Sequence, residues 1–242
     1  MAAIAPTHKA RALALVLWLV PASVAGAGPY EDADTAYFAG DYATAERLYR
    51  ALASEGHVLA QFSLGVMYHE GQGVPQDEVA AAGWYRKAAD QGNANAQYNL
   101  ARRYYEGQGV PQNYAAALDW YRKAAEQGHT GGQINLANMF GNGEGVGRDY
   151  AVAATWFRAA ADAGDPTGQF NLAMMYADGH GVPQDDVQQY LWLTLAAARF
   201  SALDFRSSAL AVIARDRVSE RMTPEQIRLA ERLAIEWRPR GQ

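Results

Sequence analysis

Gly56, Gly92, Gly128 and Gly164 stand 36 residues apart, as do Trp84, Trp120, Trp156 and Trp192. A constant period of this length over four units means that each unit is one small supersecondary element, unable to bury its apolar side alone and obliged to stack on its neighbours. The chain is thereby held to a linear array of repeats. Gln61, Gln97, Gln133 and Gln169 keep the same period, as do Leu64, Leu100, Leu136 and Leu172 and the glycine pairs Gly71/Gly73, Gly107/Gly109, Gly143/Gly145 and Gly179/Gly181. Residues 57–92 and 93–128 are identical at 21 of 36 positions.

Within one unit the pattern reads helix, loop, helix, turn. Over 93–105, Ala96, Leu100 and Tyr104 fall four apart on one face, the spacing of a helix with one buried side. The loop from Glu106 to Gln112 ends it, because glycine supplies the left-handed backbone after a helix and Pro111 cannot continue one. Asn113 then caps a second helix, and Asp77, Asp149 and Asp185 hold the same place, where a side-chain oxygen accepts the free N–H groups of the first turn. Along that helix Ala117, Trp120 and Ala124 share a face. Trp84, Trp120, Trp156 and Trp192 are expected as structural core, each burying about 150–250 Å² between alanines that let helices approach.

Written out, A-Q-x-x-L-x-x-x-Y/F-x-x-G-x-G-V-x-x-D/N-x-x-x-A-x-x-W-x-x-x-A-A-x-x-G resembles the Sel1-like repeat, a relative of the tetratricopeptide repeat, in four copies over 57–92, 93–128, 129–164 and 165–200. The resemblance implies an all-α, right-handed solenoid of antiparallel helix pairs. Departures are Phe140-Gly141 for a tyrosine and a polar residue, Gly147 for the loop proline, and Gln189 for the usual alanine.

Both ends differ from the repeat. Residues 29–56 align with the second half of a unit but carry Leu48 in the tryptophan place, and only Gly40 stands where later units have a longer loop. They read as an atypical, tetratricopeptide-like first unit, as terminal repeats often are. Residues 201–242 read as C-terminal capping helices. The first covers 203–220 with Leu203, Phe205, Ala209, Ile213 and Val218 as its apolar set. The second starts at Thr223-Pro224-Glu225-Gln226, a cap, an N1 proline and the reciprocal glutamine of a capping box, with Leu229, Leu233 and Trp237 expected to pack back.

Lys9 and Arg11, the apolar run from Ala12 to Pro21 and the small residues through Ala25-Gly26-Ala27 have the three sections of a signal peptide over 1–27. The expectation is export with cleavage after Ala27 or Ala25, most simply into a bacterial periplasm. The apolar run is too short for a bilayer span, which needs roughly twenty residues. Losing Lys9 and Arg11 leaves 19 Lys and Arg against 26 Asp and Glu, a formal charge of −7 that disfavours nucleic acid. With no cysteine, disulfides and thiolate chemistry are absent and packing alone must stabilise the array.

Chemistry is sparsely signposted. His57, His69, His129 and His180 read as lying at non-equivalent or loop positions, outside any ligand spacing, so no metal or cofactor is expected. The loop Gly141–Gly145 fits neither phosphate-binding glycine pattern. No nucleophile motif such as G-x-S-x-G occurs. Some cysteine-rich relatives have been discussed as enzymes acting on cell-wall-like compounds, but this chain lacks their cysteines, and it is read as non-catalytic.

The concave wall of a tetratricopeptide-like stack is lined by the first helix of each unit. Its inward places hold Phe62, Tyr98, Ile134 and Phe170; Ser63, Asn99, Asn135 and Asn171; and Val66, Arg102, Asn138 and Met174. Asparagine costs roughly half a kcal/mol against alanine inside a helix, so a register of three needs a reason. One is a polar ladder holding an extended peptide, with Arg102 and the aromatics receiving side chains or a carboxylate. The other is a hydrogen bond to an adjacent helix that sets the superhelix. The expected function is an exported, non-catalytic scaffold binding protein or extended peptide on its concave face. A cell-wall or polysaccharide binder is the alternative, and a hydrolase of cell-wall-like compounds a third.

Overall fold

The computed structural model describes residues 28–200 and 204–240; the expected signal segment 1–27, and with it the cleavage site, lies outside the described residues, as does Leu203. Among the described residues there are twelve helices and no strand. They are α1 (Pro29–Phe38), α2 (Tyr42–Ser54), α3 (Val58–Glu70), α4 (Glu78–Asp90), α5 (Ala94–Glu106), α6 (Tyr114–Glu126), α7 (Thr130–Asn142), α8 (Tyr150–Asp162), α9 (Pro166–Asp178), α10 (Asp186–Arg199), α11 (Phe205–Ser219) and α12 (Pro224–Glu236). From α1 to α10 each helix packs on the one before and the one after, giving an all-α solenoid of helix pairs.

Local chemistry sets each boundary. Asp77, Asn113, Asp149 and Asp185 accept first-turn N–H groups of α4, α6, α8 and α10. Each first helix from α3 to α9 ends on a left-handed glycine: Gly71, Gly107, Gly143 or Gly179. The second loop glycine has a different job, docking one unit on the last. At Gly109, with φ of +71°, a Cβ would lie 1.9 Å from the Glu78 carbonyl oxygen at the start of the preceding unit's α4.

The core falls into three buried clusters along the stack, and its large residue is only in part the one the period suggested. Trp120 and Trp192 are buried, at 8% and 3% exposure, but Trp84 and Trp156 are only half-buried. The place buried in every unit is the next one, held by Tyr49, Tyr85, Tyr121, Phe157 and Leu193. Trp84 and Trp156 flank the core clusters, and Lys87 sits 3.8 Å from the Trp84 ring as Lys123 does from that of Trp120, so one face of each of these two rings meets a cation.

At the C-terminal end both α11 and α12 pack on α10. Ala211, Val218 and Ala230 are buried there. Phe205 and Ile213 of α11 are exposed, contrary to the apolar set read from the sequence, because the buried face of α11 is set by its docking on α10; Leu229 of α12, expected to pack back, is exposed as well. The Thr223–Gln226 capping box forms, and Trp237 stacks edge-on against Trp192 with ring centroids 6.2 Å apart. Beyond it the Arg240 N–H donates to the Asp162 carbonyl at 2.7 Å, strapping the end of the chain onto α8.

Candidate functional site

The odd-numbered helices share one face, and the hollows of that face lie between them. One of about 200 Å³ between α1 and α3 is lined by Tyr30, Asp34, Tyr49, Phe62, Ser63 and Val66. Another of about 170 Å³ between α5 and α7 is lined by Tyr105, Tyr121, Asn135, Asn138 and Glu144. Between α7 and α9 a hollow of about 260 Å³ is bordered by Asn138, Phe157, Asn171 and Met174. Phe170, Phe200 and Leu210 line a smaller one toward α11. Of the residues singled out along the first helices, Phe62, Ser63, Asn135, Asn138, Phe170, Asn171 and Met174 line these separate hollows and Tyr98, Asn99 and Arg102 line none of them, while Tyr49 and Tyr121 of the second helices border two.

Asn99, Asn135 and Asn171 are partly buried and Asn138 is exposed. Among the described residues, none of Asn99, Asn138 and Asn171 uses its side-chain amide in a hydrogen bond, while Asn135 lies beside the Tyr121 hydroxyl. Arg102 departs from its expected role: Nη2 donates to Glu106 one turn on, at 3.2 Å, so its charge is already partnered within α5. Tyr98 stacks on His129 at 4.5 Å, and Phe62 packs against Tyr85 with centroids 6.0 Å apart.

The histidines are more ordered than the sequence reading allowed. His57 and His129 occupy one repeat place and cap α3 and α7, Nδ1 accepting from Ala60 and Gly132 N–H. Asn93 and Asp165 do the same for α5 and α9. Burial lowers the His129 pKa, in keeping with a ring nitrogen that must stay unprotonated to accept. His69 belongs to a different cluster, in which its Nδ1 lies 2.9 Å from Glu78 and Arg103 Nη1 donates to the other Glu78 oxygen at 2.6 Å. Burial pushes the Glu78 carboxyl up, but the bond to His69 and the Arg103 charge outweigh it and hold the carboxyl below its ordinary value. Among the described residues there is no group of three or more side chains fit to hold a metal ion.

Two side-chain ladders escaped the sequence reading. Gln61, Gln97, Gln133 and Gln169 are buried and donate to the carbonyls of Ala53, Ala89, Ala125 and Ala161, tying each first helix to the helix before it. On the second-helix side Arg50, Arg86 and Arg158 donate to the hydroxyls of Tyr68, Tyr104 and Tyr176, eighteen residues on. Both recur at period 36, the signal by which they are recognisable.

Fold and hollows together define a helix-pair repeat array with polar, aromatic-flanked depressions between its first helices. The Sel1 repeat model matches residues 58–93, 94–129, 131–165 and 166–199, and the chain belongs to the Sel1 repeat family. It is similar to c5321, a protective antigen present in uropathogenic Escherichia coli strains and displaying an SLR fold, with 36% identity and a TM-score of 0.71. That match covers 86% of this chain and 45% of the antigen, so the chain spans under half of that protein. A Sel1 repeat protein from Oxalobacter formigenes is 25% identical at a TM-score of 0.66, with 86% of this chain and 99% of that one covered. Among proteins of curated function none matches.

Proposed function

We propose that the chain is a non-catalytic adaptor that binds an extended polypeptide in the groove of its first helices. The observation that supports this most is Asn135, Asn138 and Asn171 beside the hollows, where the amides of Asn138 and Asn171 offer donor and acceptor together and are not consumed by the fold. A peptide backbone presents the complementary pair at every residue, and a stack of repeats offers an extended surface of matching shape. Membership of a family whose repeats generally serve as interaction scaffolds supports the same reading. The three-part pattern of residues 1–27 supports export, and amino-terminal sequencing of protein recovered from the exported fraction should find Gly28 first.

The test is capture of polypeptides from that fraction by the parent and by Asn99→Ala/Asn135→Ala/Asn171→Ala, after both show equal helicity, with bound chains identified by mass spectrometry. A polypeptide held by the parent and lost by the variant is the expected result. Equal retention would move binding off the groove. Sedimentation with peptidoglycan, and no captured polypeptide, would replace the adaptor by a cell-wall binder.

A further inference from the structure

Charge is divided between the two faces of this array. Of the Lys and Arg residues in 28–200, only Arg102 and Arg103 lie on odd-numbered helices, both in α5. Each is committed, Arg102 to Glu106 and buried Arg103 to Glu78. The remaining cations of that span lie on α2, α4, α6, α8 and α10, apart from Arg148 in a loop. Carboxylates are spread over both sets of helices, so the odd-numbered set, poor in cations, is left with net negative charge. Asp34 lines its first hollow and accepts from Tyr49 at 2.5 Å, Glu70 accepts from Tyr37 at 3.5 Å, and Glu144 lines the α5–α7 hollow and accepts from Tyr105 at 2.9 Å.

A second feature of the floor is independent of those acids. Tyr85 is 1% exposed, yet its hydroxyl has no hydrogen-bond partner among the described residues. Its ring crosses α3 over Gly65, where a Cβ would come within 2.5 Å of it, and lies against Phe62 of the groove wall. It is the counterpart of Tyr49 and Tyr121, which line groove hollows. The Tyr85 oxygen is not among the buried atoms left without a partner, which in the described residues are Arg103 Nε, Gln133 Oε1 and Gln169 Oε1, so it meets solvent and is open to a ligand's hydrogen bond.

From this placement we infer that the groove's occupant is a cationic extended segment, rich in Lys or Arg, with its backbone on the asparagine amides and the Tyr85 hydroxyl and its charges along Asp34, Glu70 and Glu144. The inference rests on the peptide-binding reading above and adds the chemistry of the peptide. An acidic segment meets uncompensated carboxylates, and the cations that α1 to α9 place on the odd-numbered helices, Arg102 and Arg103, are already paired.

The experiment uses the full chain and three dye-labelled twelve-residue peptides in which serine alternates with lysine, glutamine or glutamate, read by fluorescence anisotropy. The lysine peptide should bind about tenfold tighter than the glutamine peptide at low salt and lose that margin as salt is raised. Glu70→Gln/Glu144→Gln should remove most of the margin. Asp90→Asn/Asp119→Asn, which makes the same charge change on α4 and α6, should keep it. Tyr85→Phe should weaken the lysine and glutamine peptides alike, by about fivefold.

Equal affinity for the lysine and glutamine peptides would overturn the charge inference and leave the groove reading standing. An equal loss in the two charge variants would also overturn it, because net charge and not the groove would then be responsible. Binding of none of the three peptides would overturn the groove reading beneath it.

Discussion

Gln127 donates its side-chain amide to Gln97 Oε1 at 2.7 Å, and Gln91 makes the same bond to Gln61 at 2.8 Å. Each acceptor is the buried glutamine that ties a first helix to the preceding carbonyl, so the second glutamine completes its hydrogen bonding. In the third unit the donor place holds Ala163, and Gln133 Oε1 is buried without a partner. A buried acceptor left unpaired costs about 1–3 kcal/mol. Ala163→Gln should therefore raise stability by about 1 kcal/mol, or a melting temperature by about 2–4 °C in a chain of this size. Thermal unfolding followed by circular dichroism checks it, and a melting temperature unchanged or lowered would reject the ladder as a source of stability.

The arginine–tyrosine ladder has a gap of the same kind. Arg122 stands where Arg86 and Arg158 stand, but eighteen residues on it finds Phe140, and its nearest carboxylate is Asp119 at 3.6 Å. Phe140→Tyr should supply the hydroxyl that Tyr104 and Tyr176 give their arginines, adding about 0.5–1 kcal/mol. Tyr104→Phe should lose a similar amount. Opposite shifts in the urea midpoint are expected of this pair, and shifts of one sign would show that the hydroxyl is not what matters.

How far the sequence discloses these features follows from the range of the physics behind each. The caps Asp77, Asn113, Asp149 and Asp185 are legible because a cap bonds within three residues of itself. Trp84 and Tyr85 are not distinguishable by period, since neighbours 100° apart on a helix both fall within a broad apolar sector, and the docking angle alone decides which is buried. His57 and His129 escaped because imidazole is outside the usual capping set, although the 36-residue period aligns them with Asn93 and Asp165. The groove residues were placed by helix register, but the commitment of Arg102 to Glu106 depends on rotamers that no periodicity encodes.

His129 carries a pH dependence with a definite sign. Its pKa is lowered from 6.5 by burial, so between the folded value and 6.5 the unfolded chain binds more protons than the folded one. Stability is then complete above pH 6.5 and falls as pH drops below it, as the proton displaces the Gly132 N–H from Nδ1 and puts a cation at a helix N-terminus. His129→Asn, which installs the cap used by Asn93, should keep the cap while flattening the loss below pH 6.5. Urea unfolding at several pH values measures this, and an unchanged slope in the variant would assign the dependence elsewhere.

Arg103 offers the sharpest test of how the repeat tolerates a buried charge. Its place is methionine in the other units, at Met67, Met139 and Met175, and the place of its partner Glu78 holds Tyr42, Tyr114 and Tyr150. The guanidinium is 1% exposed with Nε unpartnered, while Glu78 keeps 27% exposure, so the Arg103 charge has been desolvated without satisfying every donor. Breaking such a pair from one side strands a charge, whereas replacing both members by well-packed groups is often neutral or stabilising. Arg103→Met alone should cost about 1–3 kcal/mol by leaving Glu78 beside His69 without its cation. Arg103→Met/Glu78→Tyr, which restores the pairing of the other three units, should recover at least the parent's stability. Chemical denaturation of the parent, both single variants and the double variant closes a cycle whose coupling should exceed about 1 kcal/mol. Additive losses would show instead that the α3–α5 junction is built around the charge and that the methionine–tyrosine pairing does not fit there.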